Sequence, residues 1–512
     1  MSIALPRFRS DLKLVAKDVV EDPVFDRRVS LGGGGAILAD LLKKPGMTAE
    51  ALDDQLSIGP AKLLARLRHF AAYGLFEGPR ISMSLQASRP PAAPPTTKPF
   101  VIRDDLRHAC QACGSCCSAT DVGPVPDAVA DRILERDWSD DIPGLESNED
   151  LFRTVEHNGE STRLTSMKQD QCVFLAPDKL CLIHRHIGFE AKPSPCRQFP
   201  YIFVDQGDGI AVSLQMECRA YWKARSAAGP TSGEVDSLQA LLDNGAPVHK
   251  MDDVVLVDQA LQIDRETYLA LEGRIIEAVR AAEATGDVFA VMGAYARAVD
   301  TELTELYAPI TKAESCLETA RWRAAFPKGI AEGPSPESNF TLDLARFGEQ
   351  FGEFSREAST VAADRGLSWL AQRLLLLNRA ADAVVAIDTS AFEVRDPEVV
   401  AGTVADIIIS SLFAKEPIRR SHSLRYGLAL LGMRVMLTWA SSCERAKSAC
   451  RVEVFERDII DSMVTISKML RERAVLDCCN SLKPLIVSLF LTNLGVFARQ
   501  SAPRLDTPGG IK

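Results

Sequence analysis

Cys110-Gln-Ala-Cys113-Gly-Ser-Cys116-Cys117 places four thiols within one short stretch of the chain. A second group of candidate ligands follows after a long gap: Cys172, Cys181, His184, Cys196 and Cys218. Most of the 13 cysteines therefore lie between residues 110 and 218. At these spacings, side chains from tight turns can converge on one point, which is the pattern of a metal site.

The residues around these cysteines suit ligand presentation. Gly114 relieves steric crowding directly after the C-x2-C turn, and prolines at 195 and 200 restrict the backbone on both sides of Cys196. Arg197 can offset the negative charge that accumulates when thiolates meet one metal centre. The predicted ligands are Cys110, Cys113, Cys116, Cys117, Cys172, Cys181, Cys196 and Cys218, with His184 as a further candidate and Arg197 beside them.

The composition excludes several classes of protein. The 512 residues are 46% hydrophobic and 25% charged, which is ordinary for a globular chain of two to four domains. A net charge of −10 gives no general attraction to nucleic acid. The N-terminus lacks a signal-peptide pattern, and the most apolar run, 485–498, is too short to span a bilayer. We therefore expect a cytoplasmic protein without a membrane span, whose clustered cysteines bind metal rather than form disulfides.

The cysteine motifs resemble those of the YkgJ-type cysteine-cluster family. The similarity runs through C-x2-C-G-x-C-C, Cys172-Val-Phe-Leu175, Cys181-Leu-Ile-His184 and the segment Pro193–Pro200. This resemblance implies a domain that chelates zinc or iron. The loop after His184 is several residues longer than is usual in that family, so the cysteines are stronger candidates than His184.

Both zinc and an iron–sulfur cluster are compatible with these ligands. Structural zinc needs four thiolates, or thiolates with imidazole, and eight cysteines exceed that number. Iron–sulfur clusters also take thiolates from turn-rich loops, and the dense run 110–117 favours this alternative. Adjacent Cys116 and Cys117 cannot easily point the same way, so one of them serves a second metal or stays free. Cys218 is either a ligand or a core thiol.

The first domain is predicted over residues 10–85. It has β-like segments at 12–15 and 24–29, helical patterns at 36–44 and 63–71, and a small helix that begins after Thr48 as N-cap. This pattern resembles the PqqD-like domain, which implies a winged-helix module that binds a leader peptide by strand addition. The alternative is a generic winged helix that serves in docking or dimerisation.

Two linkers separate the remaining domains. Proline-rich residues 86–99 precede a cysteine-cluster metal domain at 100–225, and 226–237 precede a helical domain at 238–500. The fold class is thus mainly α, with a small winged-helix-like α+β domain, a turn-rich metal domain and an irregular helical bundle. Helical patterns continue to about residue 497, and the cysteines within them are predicted to be core thiols.

A cysteine cluster followed by a large helical region resembles the layout of the flagellin lysine N-methylase family, FliB. This resemblance implies transfer of methyl groups from S-adenosylmethionine to lysines of a protein substrate. The sequence contains no glycine-rich fingerprint for that cofactor and no CxxxCxxC run. Three interpretations remain: an enzyme that modifies a protein or peptide side chain, a metal-stabilised scaffold or chaperone, and a redox or metal-handling protein.

Overall fold

The computed structural model describes the chain in segments. The continuous ones are 98–118, 122–157, 160–168, 171–224, 231–243, 245–257, 261–317, 388–419, 423–471 and 482–492. Shorter segments and single residues are described within 8–75, 344–384, 421 and 475–479. The statements below concern these residues.

The described chain is mainly α-helical with several small sheets, which confirms the predicted fold class. The helices are α1 (Ala49–Leu56), α2 (Asp127–Leu134), α3 (Leu182–Ile187), α4 (Ser194–Gln198), α5 (Arg219–Ala224), α6 (Val235–Asp243), α7 (Arg265–Glu283), α8 (Val288–Leu317), α9 (Pro397–Phe413), α10 (Glu416–Arg419), α11 (Leu424–Ser448), α12 (Glu456–Met469) and α13 (Lys483–Val487). The strands are β1 (Lys13–Ala16), β2 (Val19–Asp22), β3 (Arg27–Ser30), β4 (Phe100–Ile102), β5 (Phe152–His157), β6 (Glu160–Thr165), β7 (Met167–Lys168), β8 (Gln171–Cys172), β9 (Tyr201–Asp205), β10 (Ile210–Leu214), β11 (Val248–Lys250), β12 (Val254–Leu256), β13 (Gln262–Asp264), β14 (Glu393–Val394) and β15 (Glu453–Val454).

The N-terminal region forms an antiparallel sheet in the order β1-β2-β3. Thr48 caps α1 as predicted, because its hydroxyl oxygen accepts a hydrogen bond from the backbone N–H of Ala51 at 3.2 Å. The predicted helices at 36–44 and 63–71 lie outside the described residues, apart from Leu63. Whether this region has a winged-helix fold therefore stays a prediction.

The cysteine region contains more β-structure than its turn-rich sequence indicated. Its largest sheet has the order β11-β9-β10-β4, with β9 and β10 antiparallel and each edge strand parallel to its neighbour. One face of β9 and β10 packs into the main hydrophobic core, to which Ile202, Val204 and Ala211 contribute. Phe203 and Val212 point to the other face and are fully buried against Leu238, so both faces of these strands are covered.

The predicted linker at 226–237 is partly wrong. Thr231–Glu234 is a 3-10 turn, and α6 begins at Val235. Leu238 of α6 is fully buried against the sheet. Glu453 and Val454 form a short parallel pairing with β14 directly before α12 begins at Glu456.

The helical region packs around α9, which is buried from Val400 to Leu412. A helix that is covered on all sides must provide partners for every polar side chain it carries. The same hydrophobic cluster contains residues of α7, α8, α11 and α12 together with Cys218, Tyr221 and Trp222 of the cysteine region. The domain boundaries at 10–85, 100–225 and 238–500 stay predictions, and the last two regions share one core.

A buried polar network joins these two regions. Arg103, which follows β4, pairs through Nη2 with Oδ1 of Asp406 in the middle of α9 at 2.6 Å, and their side chains are 7% and 8% exposed. The hydroxyl of Tyr221 donates to the other oxygen of the same carboxylate. Burial opposes the charge of Arg103, but Asp406, Asp105 and Tyr221 together outweigh it, and the pKa of Arg103 rises above its ordinary value.

We expect Asp406→Asn to weaken this junction strongly, because it removes the buried countercharge of Arg103 and leaves only the half-exposed carboxylate of Asp105, which pairs with the same guanidinium at 2.8 Å. Removing one partner of a buried ion pair costs about 3–5 kcal/mol. Urea unfolding followed by far-UV circular dichroism measures the loss. Asp253→Asn is the matched control, since it breaks the exposed Arg265–Asp253 pair (2.7 Å) and should cost less than about 1 kcal/mol. Equal effects of the two variants would contradict the structural role of the network.

Candidate metal centre

The first thiols are presented by a tight turn. Gly114 has a positive φ of 67°, a backbone conformation that favours glycine, and Ser115–Cys117 then form one 3-10 turn. The Ser118 hydroxyl donates to the carbonyl oxygen of Gly114 at 3.0 Å, which closes the loop. In this turn the Cys116 and Cys117 sulfurs lie 3.8 Å apart. The adjacent cysteines therefore can point toward one place, contrary to the expectation from the sequence.

The other cysteines come from three different elements. Cys172 ends β8, Cys181 precedes α3 and bridges to Leu175, and Cys196 lies in the short helix α4. Pro193 and Pro195 begin that helix, and Pro195, one of the two prolines predicted to restrict the backbone around Cys196, directly precedes that cysteine.

Five thiols line one cavity of ≈ 230 Å³: Cys116, Cys117, Cys172, Cys181 and Cys196. The rest of its wall is mostly apolar, with Phe174, Phe199 and Val122 among the lining residues. A cavity needs roughly 10–15 Å³ to hold one water molecule. The space is therefore ample for a metal centre together with a further small ligand.

The donor set of the cavity fits a thiophilic metal. Thiolates bind zinc and the irons of iron–sulfur clusters. In a tetrahedral zinc site with Zn–S distances of about 2.3 Å, two sulfurs lie about 3.8 Å apart, which matches the Cys116–Cys117 separation. Among the described residues, no three His, Cys, Asp or Glu side chains already converge closely enough to hold an ion. Metal binding would thus draw the thiols of Cys172, Cys181 and Cys196 toward this pair.

The thiols of the cavity differ in acidity. The hydrogen bond with Cys117, helped by the charges of Lys192 and Lys468, lowers the pKa of Cys116 to about 6. The same hydrogen bond and burial raise the pKa of Cys117 far above its usual range. Burial raises the pKa of Cys172 to about 11 and that of Cys196 still further. In the metal-free protein, Cys116 is therefore the thiolate at neutral pH, and its negative charge disfavours ionisation of its neighbours.

The remaining predicted cysteines lie outside this cavity. Cys113 lines an adjoining open cleft, and Cys110 is exposed. Cys218 is buried, and its sulfur lies 3.7 Å from Nε2 of His108. Burial raises the pKa of Cys218 to about 12 and lowers the pKa of His108. The assignment of these three cysteines as ligands stays a prediction.

The two non-cysteine candidates also lie away from the cavity wall. His184 is exposed on α3, and its ring makes an edge contact with Phe189 at 5.8 Å. Arg197 pairs with Glu190 at 2.9 Å. Both assignments stay predictions, and neither side chain lines the cavity of the five thiols.

The structure adds charged residues that the sequence did not single out. Lys192, Lys468 and Arg471 line the cavity together with Glu217. Arg471 pairs through Nε with Oε1 of Glu217 at 2.6 Å, and Glu217 is nearly fully buried. Lys192 lies near the predicted cysteine segment, whereas Lys468 and Arg471 lie some 350 residues along the chain from the Cys116 turn. The spacing of residues in the sequence could therefore not have connected Lys468 and Arg471 with the Cys116 turn.

Comparison with protein families supports the chemistry of these donors. Residues 109–219 match the family model CxxCxxCC, described as a putative zinc- or iron-chelating domain. The matched region contains all eight predicted cysteines and about a fifth of the chain. This chain therefore carries a metal-binding cysteine-cluster region. No curated protein and no solved structure matches the chain. Among the described residues, no helix is long and apolar enough to cross a membrane.

The acidity of Cys116 gives a direct test of the cavity. In protein stripped of metal and kept reduced, we expect Cys116 to react with iodoacetamide with a half-maximal rate near pH 6, because its thiolate forms at about that pH. Cys172 should stay unmodified at pH 7, since burial holds its pKa near 11. Peptide mapping by mass spectrometry across pH 5–9 measures both rates.

The control is Cys117→Ala, which removes the hydrogen bond to the Cys116 sulfur. The half-maximal rate at Cys116 should then move to higher pH. An unchanged profile in this variant would contradict the proposed cause of the lowered pKa.

Proposed function

We propose that the cavity lined by the five thiols holds an iron–sulfur centre, with Cys116, Cys117, Cys172, Cys181 and Cys196 as the thiols that bind it. The observation that carries this proposal is the convergence of these five thiols, from four separate elements, on one cavity. In the absence of metal, burial and neighbouring thiols keep Cys117, Cys172 and Cys196 protonated at neutral pH, because they raise the pKa of each. A cationic centre would compensate the charge of the thiolates and release these protons.

Two features favour iron–sulfur over structural zinc. A closed zinc site needs four ligands around one ion and leaves no space beside it, whereas the cavity here is ≈ 230 Å³ and has five thiols. Cations also line the cavity at Lys192, Lys468 and Arg471, and Glu217 offsets one of them. Four thiolates around a cluster carry net negative charge, so nearby cations stabilise it.

We propose that this centre takes part in modifying a side chain of a protein or peptide. The specific reaction that we propose is S-adenosylmethionine-dependent N-methylation of lysine. The layout of the cysteine cluster before a helical region supports this reaction by its resemblance to the flagellin lysine N-methylases. The space beside the thiols and the open cleft next to Cys113 are consistent with access of a substrate. The alternatives are a metal-stabilised scaffold and a redox or metal-handling protein.

The N-terminal sheet is the proposed docking element for the substrate. Among the described strands, β1 pairs only with β2, so its other edge offers unpaired backbone groups. Leu14 and Val15 on β1 are 41% and 45% exposed. An exposed apolar edge strand suits binding of an extended peptide by strand addition.

Metal analysis tests the centre. Anaerobically purified protein should be brown, with a sulfide-to-iron ratio near one. Cys172→Ser and Cys196→Ser should each lose most of the iron, because each removes a thiol of the cavity. Cys450→Ser is the control, since Cys450 is exposed and distant in sequence from the cluster, and it should keep the iron.

Iron and zinc content by plasma spectrometry, with circular dichroism to verify folding, measures these outcomes. Colourless protein with one equivalent of zinc would contradict the iron–sulfur centre. Full metal content in a folded Cys172→Ser/Cys196→Ser double variant would contradict the assignment of the cavity.

The proposed reaction is tested separately on the anaerobic protein. Isothermal titration with S-adenosylmethionine should show saturable binding, and transfer of labelled methyl groups to a lysine-containing protein substrate should depend on Cys116. Brown, fully loaded protein that does not bind S-adenosylmethionine would rule out the methylation step while leaving the metal centre intact.

A further inference from the structure

Lys468 connects the helical region to the turn that carries Cys116 and Cys117. Its Nζ lies 2.7 Å from the carbonyl oxygen of Ser115 and 2.9 Å from that of Ser118, to which it donates hydrogen bonds. These two carbonyls stand on either side of the cysteine pair. One ammonium group with three donors thus binds both ends of the turn.

The helix that carries Lys468 is itself held firmly. The buried face of α12 includes Ile459, Met463 and Ile466, which belong to the main hydrophobic core. Two further ion pairs join α12 and the residues directly after it to the cysteine region: Arg219 with Asp461 at 2.8 Å, and Arg471 with Glu217 at 2.6 Å. Lys468 is therefore a fixed point against which the turn is positioned.

Lys468 affects both the pKa of Cys116 and the geometry of the Cys116–Cys117 pair. Its ammonium group lines the cavity and helps to lower the pKa of Cys116. The turn that it binds holds the two sulfurs 3.8 Å apart, the separation that suits two ligands of one tetrahedral metal. Besides the Lys468 hydrogen bonds, the Ser118 hydroxyl and a β-bridge between Ser118 and Gln171 hold the turn.

We propose that Lys468 is a positioning residue of the metal centre: by binding the Ser115 and Ser118 carbonyls it sets the Cys116–Cys117 turn for metal binding. This inference rests on the proposed metal centre and deepens it, because it makes the helical region a part of that centre. The metal ligands themselves come from 109–219, whereas the residue that sets their geometry comes from α12. Partners outside the first coordination shell typically change metal affinity by 10–100-fold when they are removed.

Release of metal to a chelator tests this proposal. The full-length protein, loaded with the metal that it carries after anaerobic purification, is mixed with excess chelator, and the rate of metal loss is followed by absorbance. Lys468→Met should lose metal at least about 10-fold faster than the unmodified protein. Lys468→Arg retains a cation and several donors, and should return the rate to within about threefold.

Lys447→Met is the matched control, because Lys447 is exposed on α11 and the substitution is chemically the same. It should leave the rate of metal loss unchanged. The melting temperatures of the metal-free proteins and the visible spectra of the loaded proteins are recorded in parallel. A changed spectrum in Lys468→Met, with a melting temperature of the metal-free form close to that of the unmodified protein, is the signature of a positioning role.

Two results would overturn the proposal. One is metal loss from Lys468→Met at a rate within twofold of the unmodified protein, and the other is a Lys468→Arg variant that loses metal as fast as Lys468→Met. Failure of the metal centre itself is distinguishable from both, because the unmodified protein would then contain no metal after anaerobic purification.

Discussion

The cost of ionising several thiols inside one cavity is the constraint on which this site depends. Five cysteines from four elements line one cavity, and the pKa of Cys116 is lowered to about 6. Burial and neighbouring thiols hold the pKa values of Cys117, Cys172 and Cys196 above their usual range, so these three thiols stay protonated at neutral pH. A metal centre allows them to ionise, because it compensates the charges that the protein alone would have to bury. The fold around the cavity therefore has to hold the thiols near one another before the metal binds.

The helical region contributes to that task. Arg103 and Asp406 join β4 to the buried helix α9, and the hydroxyl of Tyr221 completes the network. On the other side, Lys468 of α12 binds the cysteine turn, and Arg471, just after this helix, pairs with Glu217 in the loop that follows β10. The two regions also share one hydrophobic core. The metal cavity thus lies at a junction between regions, which gives the large helical part a direct connection to the chemistry of the thiols.

The sequence predicted those features of the site that depend on local spacing. The C-x2-C-G-x-C-C run, with Gly114 at positive φ, folds into a turn that presents Cys116 and Cys117 to the cavity. Helical periodicity predicted a helical region over 238–500, and α7, α9 and α11 lie within it, since each carries many apolar positions. The strands β9 and β10 were not predicted, because both of their faces are covered and their apolar residues follow one another instead of alternating with polar ones. Lys468, Arg471 and the contact of His108 with Cys218 depend on tertiary packing, which no local pattern encodes.

An anomalous-scattering map tests the central claim most directly. Crystals of the anaerobically purified protein, measured on both sides of the iron and zinc absorption edges, locate the metal and identify it in one experiment. The account predicts a peak at the iron edge inside the cavity, within about 2.3 Å of sulfurs that include those of Cys116 and Cys117. A metal held by other side chains would contradict this prediction. So would a cavity without metal in protein that binds the metal at another place.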